Sequence, residues 1–225
     1  MLDILFPKMC VECGKYGDDV CFACVKKIEK VKVSTCFYCG KISKDGKICA
    51  VCKKNNETKI DSIITSAIYD EGPTKEMVHY LKYCGYSDLS CELGELIVER
   101  LKYTNYIRTK NLLVVPVPMH KNREIKRGYN HAELLARYVS KQLDLHGGVA
   151  LEKVAKRPQQ MGLRRDKRMV NLKDSIDCID CELVLGREIL LIDDVATTGA
   201  TLNECARALK VAGAKRVYAV EVARG

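Results

Sequence analysis

The stretch EILLIDDVATTGAT, residues 188–201, decides the fold of this chain. Its apolar run ends in two adjacent carboxylates, Asp193 and Asp194, and small and hydroxyl residues follow. A turn from a strand into a helix needs one capping residue, so a plain capped helix start explains one acid but not the whole string. We interpret the apolar run as a buried strand and residues 197–201 as the beginning of a helix.

Apolar segments alternate with amphipathic segments from residue 60 onward. Strands are predicted over residues 60–69, 111–118, 149–155, 187–193 and 216–223. Helices are predicted over residues 74–83, 89–103 and 132–145 and around residues 202–209. Strands separated by helices predict an α/β fold in which helices cover both faces of a mostly parallel sheet.

The two acids lie where such a sheet binds ligands, at the carboxyl end of a strand. Residues 197–201 offer successive backbone N–H groups with little side-chain bulk, and Gly199 lets an anion approach the backbone closely, which favours a phosphate. The acids would repel a bare phosphate, so we expect them to face the vicinal hydroxyls of a ribose or a Mg²⁺ ion. We expect the core to need neither acid. A Walker B acid is excluded because the chain has no GxxxxGK[ST] loop.

Cysteine spacing predicts metal sites near the N-terminus. Eight of the thirteen cysteines precede residue 53 and form four CxxC pairs: Cys10 and Cys13, Cys21 and Cys24, Cys36 and Cys39, and Cys49 and Cys52. Two cysteines at this spacing can direct both sulfurs of a tight turn at one ion, and thiolates favour zinc over an iron–sulfur cluster. About two structural zinc ions are expected. Pairing in sequence and an interleaved arrangement both remain possible.

The lysine-rich segment KKNNETK, residues 53–59, contains no apolar residue and is typical of a linker. We therefore predict a double zinc ribbon over residues 1–59 and a second domain over residues 60–225. A fifth CxxC pair, Cys178 and Cys181, has no partner pair left, so we interpret it as part of a strand or loop.

Composition limits the classes of protein. The chain is 47% hydrophobic and 30% charged, and it contains no apolar run long enough to span a bilayer, so no membrane insertion is expected. Its start lacks the basic region of a signal peptide, so we expect a cytoplasmic location, where cysteines stay reduced. Two Zn(Cys)₄ centres would lower the net charge of +9 to about +5, which is only a mild indication of nucleic-acid binding.

The string at 188–201 resembles the phosphoribosyl-diphosphate (PRPP) signature of type I phosphoribosyltransferases. The resemblance implies that Asp193 and Asp194 are the catalytic acids and hold the ribose 2′- and 3′-hydroxyls. It also implies a 5′-phosphate site made by Val195, Ala196, Thr197, Thr198, Gly199, Ala200 and Thr201, with Mg²⁺ arriving together with PRPP.

Two basic segments fall where that family has further loops. The segment after the strand at 111–118 would bind the diphosphate through Pro118, Met119, His120, Lys121, Arg123 and Arg127. The segment KRPQQMGLRRDKRMVNL, residues 156–172, would be a mobile loop that excludes water and contains Arg157, Gln160, Arg164, Arg165, Arg168 and Asn171. A solvated basic surface is the alternative interpretation of both segments.

The four CxxC pairs together with VPVPxHxxRxxxRGxN, RxxQxxLxxxxRxxN and LLIDDVxTTGAT resemble the ComF/ComFC competence-protein family over nearly the whole chain. The resemblance implies a phosphoribosyltransferase-like protein that handles imported single-stranded DNA during natural transformation. Its partners would include PRPP, single-stranded DNA and, where one exists, a ComFA-type helicase with other competence proteins. Transfer of a phosphoribosyl group to an unknown acceptor and non-catalytic binding on the same fold both remain open.

Overall fold

The structure is a computed structural model that describes residues 7–69, 72–108, 111–154 and 175–225. In these ranges no helix combines the length and the apolar character needed to cross a bilayer. The cysteine-rich N-terminal part contains two short helices, α1 (Phe22–Val25) and α2 (Ala50–Asn55), and a 3-10 turn at Lys44–Gly46. Each short helix begins directly after a cysteine, Cys21 or Cys49, of a predicted metal pair.

The remaining chain alternates strands with helices as its apolar pattern predicts. The elements are β1 (Ser62–Ile68), α3 (Pro73–Tyr83), α4 (Leu89–Lys102), a 3-10 turn (Tyr106–Arg108), β2 (Leu112–Pro116), α5 (Lys121–Arg127), α6 (His131–Leu143), β3 (His146–Gly147), β4 (Leu151–Lys153), β5 (Ile176–Cys178), α7 (Cys181–Val184), β6 (Glu188–Ala196), α8 (Ala200–Val211) and β7 (Arg216–Arg224).

Five strands form a parallel sheet in the order β1-β7-β6-β2-β3, and β4 and β5 form a separate antiparallel pair. The strands β2, β6 and β7 are nearly continuous apolar runs because both of their faces are buried. Buried side chains of α3, α4 and α6 cover one face, and α8 covers the other together with β4 and β5. The predicted α/β class, with helices on both faces of a mostly parallel sheet, is confirmed.

Two details differ from the sequence-based expectation. Strand β6 continues to Ala196, beyond the predicted end at Asp193, so both acids lie inside the strand. Residues 121–127 form helix α5, although the sequence indicated only a basic loop. Its ends are well defined, because the His120 side chain accepts the backbone N–H of Asn122 and Gly128 adopts a left-handed conformation.

The N-terminal part lies along the open edge of the sheet at β1. Near one end of β1, Val31 donates its N–H to Ser66 and Ile68 donates to Glu29, both at 2.9 Å. Near the other end, Ile48 donates its N–H to the carbonyl of Asp61 at 3.0 Å. The edge strand is therefore bridged at two points by backbone hydrogen bonds.

Candidate functional site

The eight N-terminal cysteines form two compact clusters. One contains Cys10, Cys13, Cys21 and Cys24, the other contains Cys36, Cys39, Cys49 and Cys52, and the sulfurs of each lie within 4.8 Å of one another. The cysteine pairs therefore associate in sequence order and not in an interleaved way. The Sγ atoms of Cys13 and Cys21 are 3.6 Å apart, close to the roughly 3.8 Å expected across a tetrahedral Zn–S₄ centre. The donor set and its spacing fit structural zinc.

The two clusters repeat one local structure. Gly14 donates its N–H to the carbonyl of Cys10 at 2.8 Å, and Gly40 donates to Cys36 at 2.9 Å. Burial opposes ionisation of the Cys10 and Cys36 thiols, yet neighbouring backbone N–H groups lower the pKa of each to about 6. A metal-binding turn thus already favours thiolate at its first cysteine.

The two predicted catalytic acids point to different faces of the sheet, because side chains alternate along a strand. Asp194 faces the helices α3 and α6, where Lys82 Nζ lies 2.9 Å and His131 Nε2 lies 3.1 Å from its Oδ2. Asp193 faces α8, and its Oδ1 accepts the backbone N–H of Asp194 at 2.9 Å. The two carboxylates still approach each other, because one oxygen of each and a ring nitrogen of His131 all lie within 4.8 Å of one another, a grouping that could hold a metal ion.

Asp194 belongs to a chain of polar side chains. Arg127 Nη1 lies 2.8 Å from Nδ1 of His131, and a guanidinium can only donate, so that nitrogen accepts and the imidazole proton is on Nε2. Burial lowers the pKa of His131 to about 4, more than the charge of Asp194 raises it. A neutral His131 therefore lies 3.1 Å from Asp194 without a hydrogen bond to its Oδ2, and Lys82 supplies the neutralising charge.

Asp193 forms no ion pair with the cations of the described part of the chain. Burial, reinforced by the charge of Asp194, raises the pKa of Asp193 well above the usual range of a carboxyl group. The nearby Lys82 opposes that increase only partly. A hydroxyl donor or a cation placed beside Asp193 would favour its ionised form.

A third carboxylate, Glu221 of β7, supports the backbone at the end of β6. Its Oε2 accepts the N–H of Ala196 at 2.7 Å, and its Oε1 accepts the Thr65 hydroxyl at 2.7 Å. The N–H of Val195 goes to Oδ1 of Asp194 at 2.6 Å. These two N–H groups already have acceptors, so they are not free to bind a phosphate.

The turn between β6 and α8 carries the donors that remain. In the described ranges the backbone N–H groups of Thr197, Thr198 and Gly199 have no acceptor, and they precede the 12-residue helix α8. Ala200 donates its N–H to the Thr198 hydroxyl at 3.3 Å. Free N–H groups at a helix N-terminus form a site for an anion.

The glycine of this turn has two structural reasons to be glycine. Gly199 has a φ of 72°, which residues with a Cβ rarely adopt. A Cβ at this position would also lie 3.1 Å from Cε1 of Phe37 and 3.5 Å from the hydroxyl of Tyr38. Phe37 and Tyr38 lie between Cys36 and Cys39, so a cysteine-containing turn of the N-terminal part packs directly on the turn between β6 and α8.

The predicted diphosphate residues separate in the structure. The loop from β2 to α5 contains Pro118, Met119 and His120. It lies at the same carboxyl end of the parallel strands as the acids. Arg127 approaches His131, whereas Lys121 lies 3.3 Å from Glu152 of β4. The exposed Arg123 also belongs to α5.

The predicted mobile-loop residues Arg157, Gln160, Arg164, Arg165, Arg168 and Asn171 lie outside the described residues. Cys178 and Cys181 are at β5 and the start of α7, and no described side chain completes a metal cluster around them.

An aromatic patch, defined here as His79, Tyr80, Tyr83 and Tyr86, flanks Lys82 on α3 and the turn after it. The rings of His79 and Tyr83 are 5.2 Å apart, and those of Tyr80 and Tyr86 are also 5.2 Å apart. The guanidinium of Arg127 lies 5.2 Å above the Tyr83 ring. Tyr83 is 68% exposed, so the patch offers a cationic aromatic surface beside the acids.

Sequence reasoning missed three residues of this site: Lys82, His131 and Glu221. None of them lies near the acids in sequence, and no spacing pattern connects them. The only available signal for Glu221 was an acid inside the apolar strand RVYAVEVA, which a purely structural strand would not need.

Two protein-family models match the sequence. The model of the double zinc ribbon domain matches residues 1–55, and the model of the phosphoribosyl transferase domain matches residues 102–225. The fold and site thus define a zinc-ribbon protein with a phosphoribosyl transferase domain.

Within that class the chain belongs to the ComF family of competence and DNA utilization proteins. It is 28% identical to Competence protein F of Haemophilus influenzae, covering 97% of this chain and 98% of that protein. It is 27% identical to Competence protein ComFC of Bacillus subtilis, over 87% of this chain and 79% of that protein. It is 31% identical to DNA utilization protein YhgH of Escherichia coli (strain K12), covering 69% and 68%.

Proposed function

We propose that the crevice at the carboxyl ends of β6 and β7 binds PRPP together with Mg²⁺. The observation that carries the proposal is the juxtaposition of free N–H groups at Thr197, Thr198 and Gly199 with Asp193 on the adjoining strand end. The N–H groups favour a phosphate, and the carboxylate favours hydroxyl donors and disfavours a second anion. A ribose with a 5′-phosphate satisfies both requirements.

The acids would differ in their contribution to ribose binding. Asp194 already accepts the N–H of Val195 and is paired with Lys82 and His131. It would therefore bind the ribose with these contacts already in place. Asp193 lacks a cation partner in the described residues and would gain most from a hydroxyl or a metal ion. The basic residues of α5 and the turn at 118–120 would receive the diphosphate.

The carboxylate of Asp193 fits a magnesium ion that PRPP brings, because oxygen is the ligand that this cation prefers. His131 does not fit as a ligand, since Nδ1 accepts from Arg127 and Nε2 carries the proton. Bound Mg²⁺ would supply charge neutralisation at the diphosphate and ribose oxygens. Arg127 and Lys82 would add positive charge around the leaving group.

Two outcomes are compatible with this site. In one, the protein transfers the phosphoribosyl group to an acceptor and releases diphosphate. In the other, the same residues bind PRPP, another ribose phosphate or a nucleic-acid end without turnover. Diphosphate release from PRPP in the presence of candidate acceptors distinguishes the two.

Calorimetry with PRPP and Mg²⁺ tests the binding site. We expect Asp193→Asn to weaken PRPP at least about tenfold, because the amide loses the charge that favours Mg²⁺ and hydroxyl donors. Asp144→Asn is a matched control, because this exposed residue ends α6 in a left-handed conformation that asparagine tolerates. Absence of PRPP binding to the wild type, or equal binding to Asp193→Asn, would contradict the proposal.

We also propose a role in DNA uptake, with handling of imported single-stranded DNA in the cytoplasm alongside competence proteins such as a ComFA-type helicase. The names of the relatives support the general role, since they are called competence and DNA utilization proteins. The aromatic patch supports the single-stranded ligand, because exposed bases stack on aromatic rings beside cations.

We also propose that the chain divides into a double zinc ribbon over residues 1–59 and a second domain over residues 60–225. Thr58 and Lys59 are held by Asn203 of α8, at 3.0 and 2.8 Å, so the boundary segment is attached to the second domain.

A further inference from the structure

A cavity of about 340 Å³ lies between the N-terminal ribbon and the edge strand β1. The ribbon is hydrogen-bonded to β1 at Ser66 and to Asp61 just before it. Gly46 of the ribbon packs against the Ile63 carbonyl, and the cavity lies beside Ile64 and Thr65. Val33, Ser34 and Phe37 line the ribbon side of the cavity, and Thr65, Arg100 and Arg224 line the opposite side. Its volume is in the range of sites that hold one small molecule.

Two arginines give the cavity its charge. Arg100 of α4 donates Nε to the Thr65 carbonyl at 3.2 Å and Nη2 to the Ser34 hydroxyl at 2.6 Å. Both acceptors are neutral, so these hydrogen bonds do not neutralise the charge of Arg100. Burial lowers the pKa of Arg100, although the charge of Asp45 opposes this effect. A guanidinium has five donors, and three of Arg100 remain for a ligand.

The second arginine, Arg224, ends β7 with its guanidinium 4.3 Å above the Phe37 ring. Within the described ranges neither Arg100 nor Arg224 forms an ion pair with a carboxylate, and Glu221 is the acid that feels the charge of Arg224. A stacked guanidinium over an aromatic ring is a suitable surface for a flat, negatively charged molecule.

The cavity adjoins the turn between β6 and α8, which is the proposed phosphate site. Phe37 lies between Arg224 and Gly199, and Gly225 donates its N–H to the Ala196 carbonyl at 3.2 Å. A ligand in the cavity would therefore lie about one aromatic ring from the turn at 197–201. If PRPP binds through that turn as proposed, a molecule in the cavity lies on the side of the turn where the ribbon packs.

We propose that this cavity is the acceptor site, and that it takes a planar heteroaromatic ring that carries a carboxylate. The inference rests on the proposed PRPP site for its reaction but not for its binding chemistry. The two guanidinium groups bind the carboxylate, and Phe37 and the valines of the ribbon contact the ring. The ring nitrogen would form the new bond to the anomeric carbon, diphosphate would leave with the electrons of the broken C–O bond, and the proton of the ring nitrogen would pass to solvent.

Orotate and uracil form a matched pair of probes, because they share the pyrimidine ring and differ in the carboxylate. In calorimetry with and without PRPP and Mg²⁺, we expect orotate to bind the wild type at least tenfold more tightly than uracil. Arg224→Ala should reduce that preference about tenfold and leave zinc content unchanged. Val33 is half-exposed and lines the cavity, so Val33→Trp should prevent the ring of orotate from binding. Val211→Trp, at the exposed end of α8, should leave orotate binding unchanged.

Equal binding of orotate and uracil, or orotate binding that is unaffected by both Arg224→Ala and Val33→Trp, overturns the acceptor site. PRPP binding distinguishes this failure from that of the proposed function. If wild type and Arg224→Ala both bind PRPP but orotate does not bind, only the acceptor site is wrong. If orotate shows the expected preference and PRPP does not bind, the cavity is a ligand site and the PRPP proposal is wrong.

Discussion

Glu221 of β7 holds the backbone of Ala196 on the neighbouring strand, with its Oε2 2.7 Å from the amide nitrogen. The contact places a buried acid directly behind the turn that we propose for phosphate. Thr65 of β1 donates to the other oxygen of the same carboxylate. Through this carboxylate, β1 and β7 are hydrogen-bonded to the end of β6, where the turn begins.

This contact predicts a pH dependence of stability. Burial raises the pKa of Glu221 from 4.5 to about 7, more than the Thr65 and Ala196 hydrogen bonds lower it. The stabilisation from a protonated Glu221 is complete below the unfolded pKa and is lost as the pH rises through about 7. We expect Glu221→Gln to be more stable than the wild type at pH 8, by roughly 3 kcal/mol for a shift of this size, and to show no such gain at pH 4.

Glutamine preserves the contacts, because its carbonyl can accept from Ala196 while its amide donates to the Thr65 hydroxyl. Urea unfolding at several pH values measures the difference. A constant difference between Glu221→Gln and wild type from pH 4 to pH 8 would show that Glu221 keeps an ordinary pKa in the folded protein.

The buried pair of Lys82 and Asp194 predicts a coupled loss of stability. The sequence suggested that the core needs neither acid, but Asp194 is only 2% exposed and is 2.9 Å from Lys82. Asp194→Asn would leave the ammonium of Lys82 without its partner, which costs about 3 kcal/mol or more. The double variant Lys82→Met with Asp194→Asn should lose less than the sum of the single variants. Additive losses in urea unfolding would argue against a direct interaction.

The clusters predict about two zinc ions per chain, measured by elemental analysis of the reduced protein. Cys39→Ser should leave about one, because it removes an exposed ligand of the second cluster. Cys84→Ser is the matched control, since Cys84 is exposed and belongs to neither cluster. Chelation should unfold the ribbon and spare the later domain. Iron in place of zinc, or two zinc ions in Cys39→Ser, would refute the assignment.

The aromatic patch predicts where single-stranded DNA binds. Tyr83→Ala should weaken binding of a fluorescent oligothymidylate about tenfold, as expected for the loss of one stacked base. Tyr103→Ala should have little effect, because Tyr103 is 84% exposed but lies outside the patch. Fluorescence anisotropy at several salt concentrations measures both variants. Equal weakening by the two substitutions would place the DNA elsewhere, for example on the basic segment 156–168.

The sequence predicted the architecture well, because the apolar periodicity of β2, β6 and β7 and the spacing of the eight cysteines are local properties. The surroundings of Asp193 and Asp194 could not be predicted in the same way. Lys82 and His131 reach Asp194 only after two helices pack on one face of the sheet. The contact of Phe37 with Gly199 likewise depends on where the ribbon lies on the sheet, which no local pattern encodes.

The ribbon contacts along β1 have a consequence for the behaviour of the protein without its metal. An uncovered edge strand exposes backbone donors and acceptors that pair readily with the strands of other molecules. In this structure Val31 and Ile48 occupy that edge, and both lie in the cysteine-rich part that zinc would stabilise. Bound zinc would therefore protect the chain against self-association through its sheet, and aggregation of zinc-depleted protein is expected to begin at Ser62–Ile68.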